Sequence, residues 1–406
     1  MRLQSVLRPR RLASVWSVIC LILAIVGLSL VSEPSKATAG ASRALRRRIS
    51  HLLLLVVALP LVASADVGHA ARKEFNVDII AINLAGRQTN LTRNPAWDSA
   101  PAVSRDGRIV FLSTRGGTPD LYVMDGHGGS VRRLTNSAVD HSGVAWGEDL
   151  EFSQASWSPR GVEIAFDGKY GAVGPPCEQH CSSWDVFVIR SDGGGLKQIA
   201  LGARAPAWSA NGRRLAFESD IDAYFDSGSV TIASLDGSGS ARMKAINHSD
   251  VGPVWSPTGG ELAFEGSSTG GSPSWIYVVR ADGSRRRRLA VGHNPSWSPD
   301  GRRLAFIADY KLITIERNGN GKRRLSRKGE FVIGAAWSPK GGTLAYVAGM
   351  KADRYGGLPR DLRVETASAD GKRVHVLARE SPSSLIWGGP VWTPNGKRIL
   401  VSVEAH

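Results

Sequence analysis

A short turn, Trp-Ser-Pro-x-Gly, returns along this chain at near-regular intervals and constrains the fold more than any other feature. The copy at Trp297-Ser298-Pro299-Asp300-Gly301 leads into Arg302-Arg303-Leu304-Ala305-Phe306-Ile307 and then, past Tyr310, into Leu312-Ile313-Thr314-Ile315. Pro sets φ and Gly accepts φ > 0, so the motif predicts a tight turn between two short strands. Alternation of Leu304 and Phe306 marks the second strand. Asn318-Gly319-Asn320-Gly321 turns the chain again, into Arg323-Arg324-Leu325. The unit reads as four strands joined by turns.

The same unit opens at Trp157-Ser158-Pro159, Trp208-Ser209-Ala210, Trp255-Ser256-Pro257, Trp337-Ser338-Pro339 and Trp392-Thr393-Pro394, with Val103-Ser104-Arg105-Asp106-Gly107 as a degenerate first copy. Six of the twelve Trp fall at this one position, so the repetition is not an accident of composition. The spacings are 54, 51, 47, 42, 40 and 55 residues. The shorter ones match a four-stranded propeller blade of about 40–45 residues, and the longer ones match blades with loop insertions. The last copy has no second half before His406. The missing half stands at the other end, where Asp78-Ile79-Ile80-Ala81-Ile82-Asn83 and Gln88-Thr89-Asn90-Leu91-Thr92 form two late strands without early ones. The expectation is an all-β, seven-bladed β-propeller, closed by N-terminal strands that pair into the last blade. Closure leaves only short, protected sheet edges.

The repeated Trp-Ser-Pro-Asp-Gly and Asp-Gly turns resemble the TolB-like propeller repeat, a relative of the WD-repeat. The resemblance covers about residues 74–406. It implies the fold; one fold hosts many activities, so it does not by itself imply a function. The sequence departs from the TolB pattern in two ways: seven blades are counted where six are expected, and no α/β domain precedes them. The propellers of prolyl-oligopeptidase-type peptidases are similar as well, without the hydrolase domain that accompanies them.

Residues 1–65 read as a leader and 66–406 as the propeller. Ala13 to Val31 is apolar and follows Arg8, Arg10 and Arg11; Leu52 to Val62 is a second apolar run, after Arg46-Arg47-Arg48 and before Ala63-Ser64-Ala65. The second run has the basic, apolar and small parts of a secretory signal, and is expected to be the working one. A retained N-terminal membrane anchor is the alternative. Either way the propeller is expected outside the cytoplasm, periplasmic or secreted, and monomeric. Of the net charge of +15, the leader's nine Lys/Arg and single acid, Glu33, account for +8, which leaves +7 on the propeller. The basic runs at 132–133, 285–288 and 322–324 fall at the outermost strand of their blades. They read as a solvated rim, or as an attraction for anionic polymers such as cell-wall or lipid phosphates. With no interleaved aromatics, nucleic acid is not expected as a partner.

With strands lettered a to d from inside to outside, the a–b and c–d turns share one face and are short and stereotyped. The b–c and d–a loops share the other face and carry nearly all the length variation, which is where binding usually sits. Asp98, Arg204, Asp250, His293, Glu330 and Trp387 each stand just before or at strand a and are the candidate binding residues at the channel mouth. They point to a non-catalytic scaffold that binds an envelope protein, a peptide or a polymer. The alternative is a propeller lyase or hydrolase acting on peptide or saccharide, with a His and acidic site at the same mouth. Convergence on one point would separate the two.

Other motifs carry less. Cys177 and Cys181 in the second blade's insertion suggest a disulfide outside the cytoplasm; zinc, with His180, would lack a fourth ligand. Asp220, Asp222 and Asp226 lack the helix-flanked pattern of a calcium loop. Gly266-Ser267-Ser268-Thr269-Gly270 matches a nucleophile elbow by letter, but sits between strands and not before a helix. No cofactor and no metal are expected.

Overall fold

The computed structural model describes residues 76–136, 155–169, 184–219, 228–236, 240–242, 250–267, 273–350, 360–380 and 385–405. They belong to one compact unit, Glu74–His406. They form seven antiparallel sheets of four strands each, with no helix among the described residues. The inner strands are Asp98–Val103, Ser156–Trp157, Ala203–Trp208, Asp250–Trp255, His293–Trp297, Glu330–Trp337 and Ile386–Trp392. Each touches the inner strand of the next blade, and the seventh touches the first, so the sheets form a closed ring.

Closure follows the expected route. In the seventh sheet the order is Gln88–Asn90, Asn76–Asn83, Arg398–Ala405, Ile386–Trp392. Asp78 lies opposite Val403 and Asn83 opposite Arg398, in an unbroken antiparallel register. Blade 7 therefore takes its inner half from the C-terminal residues and its outer half from the N-terminal ones.

One hydrophobic cluster fills each of the seven junctions between blades. In the strand Arg303–Ala308, Leu304 and Phe306 face blade 4, while Ala305 and Ile307 face blade 6. Both faces are packed, which is why the b strands read as continuous apolar runs and not as a clean alternation.

The repeated Trp has a second role beyond packing. Its indole N–H donates to a carbonyl in the inner strand of the preceding blade: Trp157 to Ala102, Trp208 to Ser156, Trp255 to Ala207, Trp297 to Val254, Trp337 to Ser296 and Trp392 to Ala336, at 3.0 to 3.2 Å. In every case the acceptor is the residue just before the matching position of that blade. A buried indole N–H needs such a partner.

Candidate functional site

In blades 1, 3, 4 and 5 the inner strand bulges where the chain reads x-Pro-x-Trp, or x-Pro-x-Val in blade 1. Pro has no N–H to complete the ladder, and the residue before it takes a left-handed conformation: Ala100 (φ 50°), Ala205 (φ 52°), Gly252 (φ 60°) and Asn294 (φ 53°). The registers shift at these points in blades 1, 3, 4 and 5. A bulge frees a backbone N–H that must find another acceptor. In three successive junctions the acceptor is a carboxylate on strand b of the preceding blade. Asp167 accepts from Ala205 N at 3.0 Å, Glu218 from Gly252 N at 2.6 Å, and Glu265 from Asn294 N at 2.5 Å. These acids occupy one repeat position, after Ala165-Phe166, Ala216-Phe217 and Ala263-Phe264.

The six residues expected at the channel mouth stand at equivalent places, at the start of the inner strands of blades 1, 3, 4, 5, 6 and 7. Each charged carboxylate or guanidinium among them is paired inside its own blade. Asp98, fully buried, meets Arg115 at 2.8 Å, and Arg204 meets Glu218 at 2.6 Å. Asp250 is held by both terminal nitrogens of Arg286, at 2.7 and 2.8 Å. The Arg286 guanidinium also lies over the Phe264 and Tyr277 rings. Glu330 pairs with Arg363 at 3.2 Å and accepts from Arg327 N at 2.7 Å. His293 is half-buried, and burial lowers its pKa.

Trp387 is different. Its ring lies 4.9 Å from that of Trp97, centroid to centroid, tilted by 59°. The two rings meet at the seam where blade 7 adjoins blade 1. The indole nitrogens of both are buried and, among the described residues, have no hydrogen-bond partner, unlike the six repeat tryptophans. The Ser402 hydroxyl, on the residue paired with Trp387, and Asp98 Oδ1 are likewise buried without a partner. Two donors, a hydroxyl and a carboxylate oxygen thus belong to the two residues of this contact and to their immediate neighbours.

The electrostatics are those of partly neutralised acids. Burial pushes Asp98, Asp250, Glu265 and Glu330 upward, with arginine or hydrogen-bond partners pulling the other way. Asp167 goes furthest, to about 7, through burial and the neighbouring Glu218. Among the described residues no group of three His, Cys, Asp or Glu is arranged to hold a metal ion.

The sequence reading missed Asp167, Glu218 and Glu265, and it missed Trp97. The signal for the first three was present: an acid at one repeat position in three consecutive blades. Trp97 lies outside the repeat and has no such signal. His127 sits in a c–d turn and His375 in the outermost strand of blade 6, both away from the mouth. Cys177, Cys181, the leader, the Asp220–Asp226 loop and most of the long insertions lie outside the described residues.

Comparison with known proteins gives one family. The TolB beta propeller domain matches residues 178–406. A TolB homologue of Chlorobium chlorochromatii is 26% identical over 323 residues, covering 75% of this chain and 70% of that protein. One of Chlorobium luteolum is 30% identical over 136 residues, which span 30% of this chain and only 28% of that protein. Among solved structures, an oligogalacturonate lyase in complex with manganese aligns at a TM-score of 0.55 and 12% identity, covering 82% of this chain and 96% of the lyase. At that identity the likeness shows the fold alone.

Proposed function

The chain belongs to the TolB beta propeller domain family, and from that premise we propose that it is a non-catalytic scaffold outside the cytoplasm. It binds an envelope protein, a peptide or an envelope polymer on the loop face, around the channel mouth. The observation that carries this reading is the Trp97–Trp387 seam. Two large rings carry buried indole N–H groups that have no hydrogen-bond partner among the described residues. A buried donor without a partner costs about 1–3 kcal/mol, so a ligand that brings a carbonyl or carboxylate there recovers that free energy on binding. Aromatic residues with one apolar body and one polar handle are the usual anchors of protein–protein contacts.

The arrangement speaks for binding over catalysis. An enzyme needs titratable groups that converge on one point, whereas Asp98, Arg204, Asp250 and Glu330 are each neutralised within their own blade.

The test is affinity capture from envelope extract with the full chain as bait, beside two variants: Trp97→Phe with Trp387→Phe, and Arg204→Glu with His293→Ala. The phenylalanines keep an aromatic contact and remove both donors. Loss of a captured component with the first variant supports the seam as the anchor. Identical catches from all three baits would remove the mouth from the function.

A further inference from the structure

Positive charge on the propeller is not spread evenly. Residues 280–328, from the outer half of blade 4 through blade 5, hold fourteen Lys/Arg against four acids, a net of +10. The rest of residues 66–406 therefore nets −3 against the +7 of the whole. All four acids are engaged in their own turns, Asp309 with Lys311 Nζ at 3.4 Å and Glu316 with Asn318 Nδ2 at 3.2 Å. Asp282 accepts from Ser284 N at 2.8 Å, and Asp300 from Ser298 Oγ at 2.6 Å and Arg302 N at 3.0 Å.

On the turn face of this sector a groove of about 420 Å³ opens between blades 5 and 6, with Ser298, Asp300, Arg303, Trp337, Lys340 and Ala369 among its lining residues. Gly342 stands where blade 5 has Arg302, and nothing lies within 4 Å of where its Cβ would be. The missing side chain leaves the groove open. Cations follow it from the inner turn to the rim. Lys340 is on the a–b turn of blade 6. Arg303, on strand b of blade 5, reaches the Ala369 carbonyl at 3.4 Å. Arg323, on strand d, reaches the Asp370 carbonyl at 2.7 Å. Lys372 and Arg373 stand exposed beside it. The inner-to-outer order of the strands makes this a radial track.

We propose that this track binds one chain of an acidic polysaccharide, laid along the blade 5–6 junction with its carboxylates on Lys340, Arg303 and Arg323. A line of cations in a recess fits a linear polyanion better than a flat anionic bilayer, which would meet only the turn tips. A nucleic acid strand needs exposed rings for its bases. Trp337, the one aromatic among the groove's lining residues, is 8% exposed and has its N–H on Ser296. Asp300 also suits a saccharide, because its carboxylate accepts hydrogen bonds from the hydroxyls that every sugar unit carries. The surface is opposite the loop face, so this inference stands apart from the function proposed above.

The experiment titrates the full chain with alginate oligomers in low salt, and beside them with dextran, oligo-deoxythymidine and phosphatidylglycerol vesicles. Alginate binds and dextran does not, and added salt weakens the binding. Arg303→Glu with Lys340→Glu weakens alginate binding by about tenfold or more, since like charges then face the polymer. The milder Lys340→Gln with Lys372→Gln, at two exposed positions, weakens it less and guards against loss of folding. Failure of alginate to bind, equal binding by both variants, or tighter binding of the oligonucleotide or the vesicles would each overturn the proposal.

Discussion

Trp392 donates its indole N–H to the carbonyl of Ala336 at 3.0 Å, across the junction of blades 6 and 7. Five like bonds run round the ring, and the place of a seventh is held by Val103, whose side chain has no donor. The junction of blades 7 and 1 is joined instead by Arg398 Nη2, which reaches the Gly126 carbonyl at 2.7 Å, and by the cluster around Ile79, Phe111 and Leu400.

Trp392→Phe keeps most of the packing and removes the donor. It is expected to cost about 1–3 kcal/mol, because the Ala336 carbonyl loses its partner inside a junction. Urea denaturation measures it; an unchanged midpoint would show that the bond contributes nothing.

Deleting residues 76–92 removes strands c and d of blade 7 and exposes the strand Arg398–Ala405 as an open edge. The melting temperature is expected to fall and aggregation to rise. A synthetic peptide of residues 76–92 added in trans should restore part of the loss. If the deletion melts like the intact chain, pairing in blade 7 is not what closes the ring.

The fold was legible because its information is local and repeated. Each Trp-Ser-Pro-x-Gly turn marks an a–b junction, and Asp78–Asn83 could be matched to the half-blade at the C-terminus by what each lacked. The candidate site was legible only as positions. The starts of the inner strands were placed correctly, but the partners that neutralise Asp98, Asp250 and Glu330 come from three different elements: a b–c loop, the start of strand d and strand c. No repeat position predicts those partners. The Trp97–Trp387 contact joins residues far apart in the chain, and only ring closure brings them together.

Asp250 and Arg286 form a buried pair, with side chains 1% and 11% exposed. Arg286→Met leaves the carboxylate unpaired and is expected to cost about 3–5 kcal/mol. Adding Asp250→Asn should recover much of that. Chemical denaturation of the single and double variants measures the coupling, and simple additivity would exclude it.

Asp167 makes stability depend on pH. Its folded pKa, about 7, lies above the ordinary 3.8, so the folded state keeps the proton longer than the unfolded one. The stabilisation is complete below 3.8, declines as pH rises towards about 7, and is gone above that. Asp167→Asn keeps an acceptor for Ala205 N and cannot ionise. It is expected to flatten the pH 4–7 part of the stability profile and to stabilise the protein at pH 8, as read by thermal melts across that range.

Asn76 lies opposite Ala405 in the register of blade 7. The first and last strands of the propeller thus lie side by side on one sheet, and the circle has no privileged starting point. Splicing those neighbours through a short linker and cutting at Asp300–Gly301 would give a circular permutant with the same seven sheets. In such a molecule every sheet but one would be drawn from a single continuous stretch, and the divided sheet would be blade 5.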